Sequence, residues 1–328
     1  MLTRRQFGAT AAASLFAGPA LVSPAPAQDQ TVRLVAGFPA GGGIDISARL
    51  LVDPFKDALN QPVIVENRVG AAGMIAANAV AKAPPDGRMM LVSTSGEIAI
   101  SQHLYKEKMT YDPLKDLAPI TLIGIVPNVV IVSATTPVRT PRELIAYIKA
   151  NEGKMSYSSS GIGNPQQLCG ELMNIMAGTQ VLHVPYRGAA PSVTGVATGD
   201  VTMSFTSLAA AQGLLQADKV RAVAVTSLDR MPQLPDVEPL QNGAPELKGY
   251  ELLNWFGLFT TAGTPAAVVN RYNEIATRRL AEPKIAETLS TQGIVPRQMS
   301  PEQFGAFVAA ESKKFASVIE KARIKLEN

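Results

Sequence analysis

"TVRLVAGFPAGGGIDISARLL", from Thr31 to Leu51, decides how this chain is read. Its opening is a short run of apolar residues, the composition of a buried strand. Its close places Ile44, Ala48 and Leu51 on one helical face, and the pattern continues through Phe55 and Leu59 to Asn60. Between them stand Gly41, Gly42 and Gly43, with Asp45 just inside the helix. A residue without Cβ lets something approach the backbone, and a helix N-terminus offers free N–H groups to an anion. The stretch predicts a strand-to-helix turn able to hold a negative group. Two readings of Asp45 stand side by side: part of that site, or a carboxylate that complements the helix dipole.

Working outward, Pro62–Asn67 reads as a strand, Ala71–Lys82 as a helix, and Met89–Thr94 as a strand running into a small-residue loop, Ser93–Gly96. Such short connections predict a parallel sheet covered on both faces. Ala118–Ser133 is β-rich, interrupted at Pro127-Asn128, and too long for one ordinary strand, which makes it a crossing into a second lobe. There the alternation restarts. Thr140, Pro141 and Glu143 form a capping box for a helix to Asn151. Strands follow at Met155–Ser158, Gln180–Val184, Val201–Phe205 and Val220–Thr226, and a third small-residue loop, Ser158–Asn164, precedes a helix. Asn254–Pro265 is the return crossing, Thr264-Pro265 opens a helix to Ala281, and Ser300-Pro301 opens a last helix with Phe304, Phe307, Val308, Phe315, Val318 and Ile319 in one apolar stripe. The expected architecture is α/β and two-lobed, each lobe a mostly parallel sheet flanked by helices, joined by two crossing strands. Residues 28–128 plus 256–328 make lobe 1, and residues 129–255 make lobe 2.

The N-terminus reads as an export signal. Arg4-Arg5 and Phe7 precede an uncharged Ala-rich stretch, and Ala25-Pro26-Ala27 has the small-x-small form of a cleavage site, so residues 1–27 resemble a twin-arginine leader or a Sec leader. The expected location is periplasmic, with the mature chain starting near Gln28. Loss of the two arginines brings the net charge from +3 to +1, and no basic cluster with interleaved aromatics follows, which argues against nucleic acid as partner. Cys169 is the single cysteine, so no disulfide framework within the chain holds the fold.

Catalytic signatures are missing: no nucleophile elbow, no Walker sequence, no metal-ligand pair at useful spacing. The histidines, His103 and His183, have no second titratable group nearby in sequence and are read as packing residues. What recurs is a small-residue loop at the carboxyl end of a strand, where open α/β sheets bind ligands. Four or five charge-assisted hydrogen bonds at about 1.5–3 kcal/mol each, less the cost of closing a cleft, correspond to micromolar capture of a carboxylate.

In order along the chain, "GFPAGGGIDISAR", "VIVENRVGAAGMIAA", "PPDGRMMLVSTS", "YDPLKDLAPITLIG", "HVPYRGAAPSV", "WFGLFTTAGTP" and "SPEQFGAFVAAE" resemble the signatures of the Bug/TctC-type solute receptors of tripartite tricarboxylate transporters. The resemblance implies a Venus flytrap of type II-like form that binds a small carboxylate between its lobes, delivers it to membrane permease subunits, and works without enzymatic activity, cofactor or metal, as a monomer. A loaded sensor docking a membrane signalling receptor is the alternative. Contacts carried over by the resemblance are Phe38, Gly41, Gly42, Gly43, Asp45, Ser93 and Ser95 from lobe 1, and Ser159, Gly161, Asn164, Phe205 and Thr206 from lobe 2. The chain departs from the family pattern at Val69 and Ala40, where proline is usual, at Gln167, where histidine is common, and at Thr202 and Thr206, the usual acidic positions. A threonine at 206 predicts a ligand without an ammonium group.

Overall fold

β1 (Val32–Ala36) pairs in parallel on both sides, with β2 (Val63–Asn67) and with β3 (Met89–Thr94). The glycine turn leads from β1 into α1 (Gly43–Leu59), and α2 (Met74–Ala81) lies between β2 and β3, so helices make the crossovers of this parallel trio. The structure is a computed structural model that describes residues 30–106 and 108–325, and the predicted export signal falls outside them.

Beyond β3 come a π-helical turn, Gly96–Ile100, and the short helix α3 (Ser101–Leu104). β4 (Leu117–Ser133) then runs uninterrupted for 17 residues. The second sheet follows as α4 (Pro141–Ala150), β5 (Ser156–Ser159), α5 (Pro165–Ala177), β6 (Leu182–Pro185), α6 (Ala189–Thr198), β7 (Met203–Ser207), α7 (Leu208–Gln216) and β8 (Val220–Val225). β5 pairs in parallel with β6 and β7, and β4 runs antiparallel between β7 and β8. The chain leaves this sheet where Leu252 N–H donates to Thr226 O, and β9 (Leu253–Thr261) inserts between β3 and β4. α8 (Ala266–Leu280), α9 (Pro283–Thr291), β10 (Val295–Pro296) and α10 (Pro301–Lys321) complete it.

β4 belongs to both sheets. Its residues up to Pro127 pair with β9, and those from Asn128 onward pair with β7 and β8. The interruption expected at Pro127-Asn128 does not occur, for a reason visible in the register. On its second edge β4 meets β10 at Gly124 and Ile125 and β7 from Asn128, so Pro127 falls in the gap between them, where a missing N–H costs no ladder bond.

Helix starts follow local chemistry. Ser300 Oγ accepts from Gln303 N, and the Gln303 side chain returns to Ser300 N, closing a capping box. At α4 the Thr140 cap forms, but the Glu143 carboxylate accepts from Arg139 N, one residue earlier than a capping box requires. One apolar cluster is continuous across both sheets, joining Leu91, Phe304 and Phe315 to Leu168, Met173 and Phe205. Close packing dictates Gly170 on α5, where a Cβ would stand 2.3 Å from Tyr157 Cζ.

Candidate functional site

Register alone brings the small-residue loops towards one place. Thr94, ending β3, lies opposite Phe256 of β9, and Phe256 lies opposite Gly124 of β4. Ser207, ending β7, lies opposite Asn128 of β4, and Ser158 of β5 lies opposite Ser204 of β7. The carboxyl ends of the parallel strands in both sheets therefore point at the middle of β4. Stepping one residue past Thr94, the Ser95 level and the Ser207 level are separated by three residues of β4, about 10 Å of extended chain.

In the first loop, Gly41 takes φ 86°, and Gly43 presses on Phe256, whose ring a Cβ there would approach to 3.0 Å. Asp45 is buried and organises the turn: Oδ2 accepts from Gly41 N at 2.9 Å and Arg49 Nε at 2.8 Å, and Oδ1 accepts from Asn67 Nδ2 and Arg49 Nη2 at 3.1 Å each. Hydrogen bonding to Arg49 leads the causes that hold its carboxyl below the usual aspartate range. Asn67 also donates to Phe38 O at 2.9 Å, which fixes the loop from β2. The N–H groups of Gly43, Ile44 and Asp45 have no acceptor among the described residues, and α1 has no side-chain cap.

At the head of β3, Ser93 Oγ donates to Gly257 O at 3.3 Å and Ser95 Oγ to Asn254 Oδ1 at 2.8 Å. In the second sheet, Ser159 Oγ bonds Gly161 O and His183 Nε2, both at 2.8 Å, and Asn164 caps α5 by accepting from Gln167 N at 3.0 Å while its amide donates to Ser160 Oγ. Gln167 is turned to Gly163 N at 2.7 Å. His183 lies against the Tyr157 ring with centroids 4.9 Å apart, and burial pushes its pKa down to about 4, so the imidazole is neutral at physiological pH. Phe205 is core. Thr206 is 1% exposed, and its Oγ1 has no hydrogen-bond partner among the described residues. A buried hydroxyl left unpaired beside the N-terminus of α7 is the strongest polar vacancy in the second half of the candidate set.

Several positioning groups escaped the sequence reading: Asn67, Asn254, Ser207, which caps α7 through Ala210 N, and a tie between the halves, Gln233 Nε2 donating to Ser290 O at 2.8 Å and Oγ at 3.0 Å. Of these, only Ser207 had a local signal, a serine directly before a helical pattern. No described group of three or more His, Cys, Asp or Glu side chains is placed to hold a metal. A surface groove of about 1120 Å³ between α4 and residues 238–248 shares none of the candidate residues.

The model of the tripartite tricarboxylate transporter family receptor, TctC, matches residues 47–324. Among solved structures, R. palustris Rpa4515 with adipate superposes with a TM-score of 0.77 at 32% identity, covering 90% of this chain and 98% of that one. The periplasmic binding protein BugD gives 0.73 at 32% identity over 92% and 100% of the two chains. MatC from Rhodopseudomonas palustris with bound malate gives 0.71 at 27% identity over 88% and 98%. Two of these structures hold a carboxylate, adipate or malate, BugD is a periplasmic binding protein, and the mixed sheets flanked by helices described above have the architecture of a two-lobed binding protein.

Proposed function

Because this chain belongs to the tripartite tricarboxylate transporter receptor family, we propose that it is an exported, periplasmic receptor that captures a small organic carboxylate at mid-β4, unaltered, and hands it to the membrane permease subunits of such a transporter. Residues 1–27 serve as the signal. Residues 28–128 plus 256–328 act as one lobe and residues 129–255 as the other.

The observation that carries this reading is the pairing of unlike vacancies across β4. On one side stand the unsatisfied N–H groups at the start of α1, on the other the unpartnered Thr206 hydroxyl at the start of α7. Ligand contacts come from Phe38, the Gly41–Gly43 turn, Ser93, Ser95, Ser159, Gly161, Asn164 and Thr206, with Asp45 shaping the turn and Phe205 packed in the core. No ionised side chain stands among the second-lobe contacts to pair an ammonium, so the ligand is a mono- or dicarboxylate. The adipate and malate named with the related structures belong to that class.

Thermal-shift and calorimetric titration with adipate, malate and aspartate test this. At 100 times its dissociation constant a ligand adds about 2.7 kcal/mol, a rise in Tm of roughly 5 °C for a chain of this size. Stabilisation by a simple carboxylate, recovered chemically intact, supports the reading. Tight binding of aspartate with none of adipate, malate or other simple carboxylates refutes it.

A further inference from the structure

Glu97 is fully buried at the head of the first sheet, and nothing said so far gives it a task. Contacts of glycine backbones place it. A Cβ on Gly37, just past β1, would meet Gly73 Cα at 2.7 Å, and a Cβ on Gly73 would meet Glu97 Cδ at 2.9 Å. The carboxylate thus sits over the ends of β1 and β3. Oε1 accepts from Thr94 N at 2.7 Å, Oε2 bonds Thr94 Oγ1 at 2.6 Å, and Thr94 Oγ1 also accepts from Gly96 N at 2.9 Å. Both carboxylate oxygens are spent on one residue of the ligand-candidate turn, and Glu97 itself lies in a π-helical turn, a local irregularity found frequently at functional sites.

We propose that Glu97 is a positioning residue for carboxylate capture, which holds the Thr94 hydroxyl as its own donor when ionised and releases it, together with the local negative charge, when it takes up a proton. This rests on the reading of the β3 turn as part of the ligand site. In the ionised state the bonds run from Gly96 N–H to Thr94 Oγ1, and from Thr94 O–H to Glu97 Oε2. A protonated Glu97 donates to Thr94 Oγ1, whose two lone pairs then accept from Glu97 and Gly96. The hydroxyl hydrogen is left for another acceptor, and a bound carboxylate supplies one. Above the Glu97 titration midpoint, receptor and anion then bind with uptake of one proton.

Burial, only partly offset by the hydrogen bonds from Thr94, pushes the Glu97 pKa up to about 7. The titratable group facing it is Tyr111, whose hydroxyl donates to the Glu97 carbonyl at 2.8 Å and titrates far higher. Of the elements packed on the same turn, α2 carries no charge, α3 contributes His103, which bonds Ser312 Oγ at 2.9 Å, and α10 contributes Glu311, which pairs with Lys314 at 2.6 Å.

The first test needs no ligand. In the 15N-labelled protein the Thr94 amide is expected to titrate with a midpoint near pH 7, and the inflection to vanish in Glu97→Gln. A flat Thr94 amide between pH 5.5 and 8.5, or an inflection that survives in the variant, overturns the assignment. Should the variant fail to fold, the wild-type titration decides alone. The second test is adipate affinity by calorimetry at pH 6 and pH 8. Binding that requires the protonated form weakens about tenfold between them in the wild type, the change in competent fraction, and Glu97→Gln, in which only adipate itself titrates, is the reference against which that change is read. Tight adipate binding without that change refutes the role in capture. Absence of adipate binding at either pH refutes adipate as ligand, while the amide titration still passes judgement on Glu97.

Discussion

Replacing Asp45 by alanine measures how far the glycine turn rests on its buried carboxylate. The side chain is 2% exposed and accepts from Gly41 N, Arg49 and Asn67. Hydrogen bonds to a buried charge are worth about 1.5–3 kcal/mol each. The Arg49 contribution is left out, because its side chain is 56% exposed and solvent screens the pair. Gly41 is exposed and regains water, and Asn67 keeps Phe38 O, so the net loss is about 2–3 kcal/mol at pH 7. That lowers Tm by roughly 5 °C. The carboxyl is held below its ordinary 3.8, so its stabilisation is complete above that value and is lost as pH falls through the lower, folded-state value. Scanning calorimetry of wild type and Asp45→Ala at pH 7, and of both again below pH 4, should show a gap that narrows on acidification. A gap under about 1 °C at pH 7, or one that persists unchanged in acid, refutes the reasoning.

Thr206→Val keeps the shape and deletes an unpartnered hydroxyl, so the free protein should gain up to about 1 kcal/mol by urea unfolding while adipate affinity falls about fivefold; affinity left unchanged removes Thr206 from the site. Gly170→Ala drives a methyl group into Tyr157 and should cost about 1–3 kcal/mol, whereas Gly213→Ala on α7, with nothing within 4 Å of the added carbon, should stabilise by roughly 0.5–1 kcal/mol. Gln233→Ala cuts the tie to Ser290, and amide exchange at the end of α9 should accelerate with little change in global unfolding; exchange left as in the wild type would mean that the tie holds nothing.

The alternation of strand and helix was legible because the apolar periodicity changes from element to element and some helix starts carry caps, as at Thr140 and Ser300. The continuity of β4 was not, because Pro127 reads as a break until β10 and β7 are seen to leave a gap beside it. α9 and β10 went unread. A helix of nine residues and a strand of two offer too short a pattern to register as separate elements. At the site, the glycine turn announced itself through composition. A partner of Asp45, Asn67, comes from another strand, and no local pattern links them. Glu97 stood in "STSGEIAI" without a signal, since a single acidic residue in a small-residue loop reads as solvated until burial shows otherwise. Thr206 drew notice as a departure from the family pattern, but the vacancy at its hydroxyl exists only in three dimensions.

The shared strand also governs how the molecule comes apart. Since β4 is held by β9 over one stretch and by β7 and β8 over the next, with α10 packed against strand and α5 alike, neither half has a complete ladder when the other melts. The polypeptide must be synthesised as far as β9 before its earliest sheet closes, a demanding topology with many distant pairings and correspondingly slow assembly. Heating should accordingly produce one endotherm, with calorimetric and van't Hoff enthalpies in agreement, instead of two successive meltings.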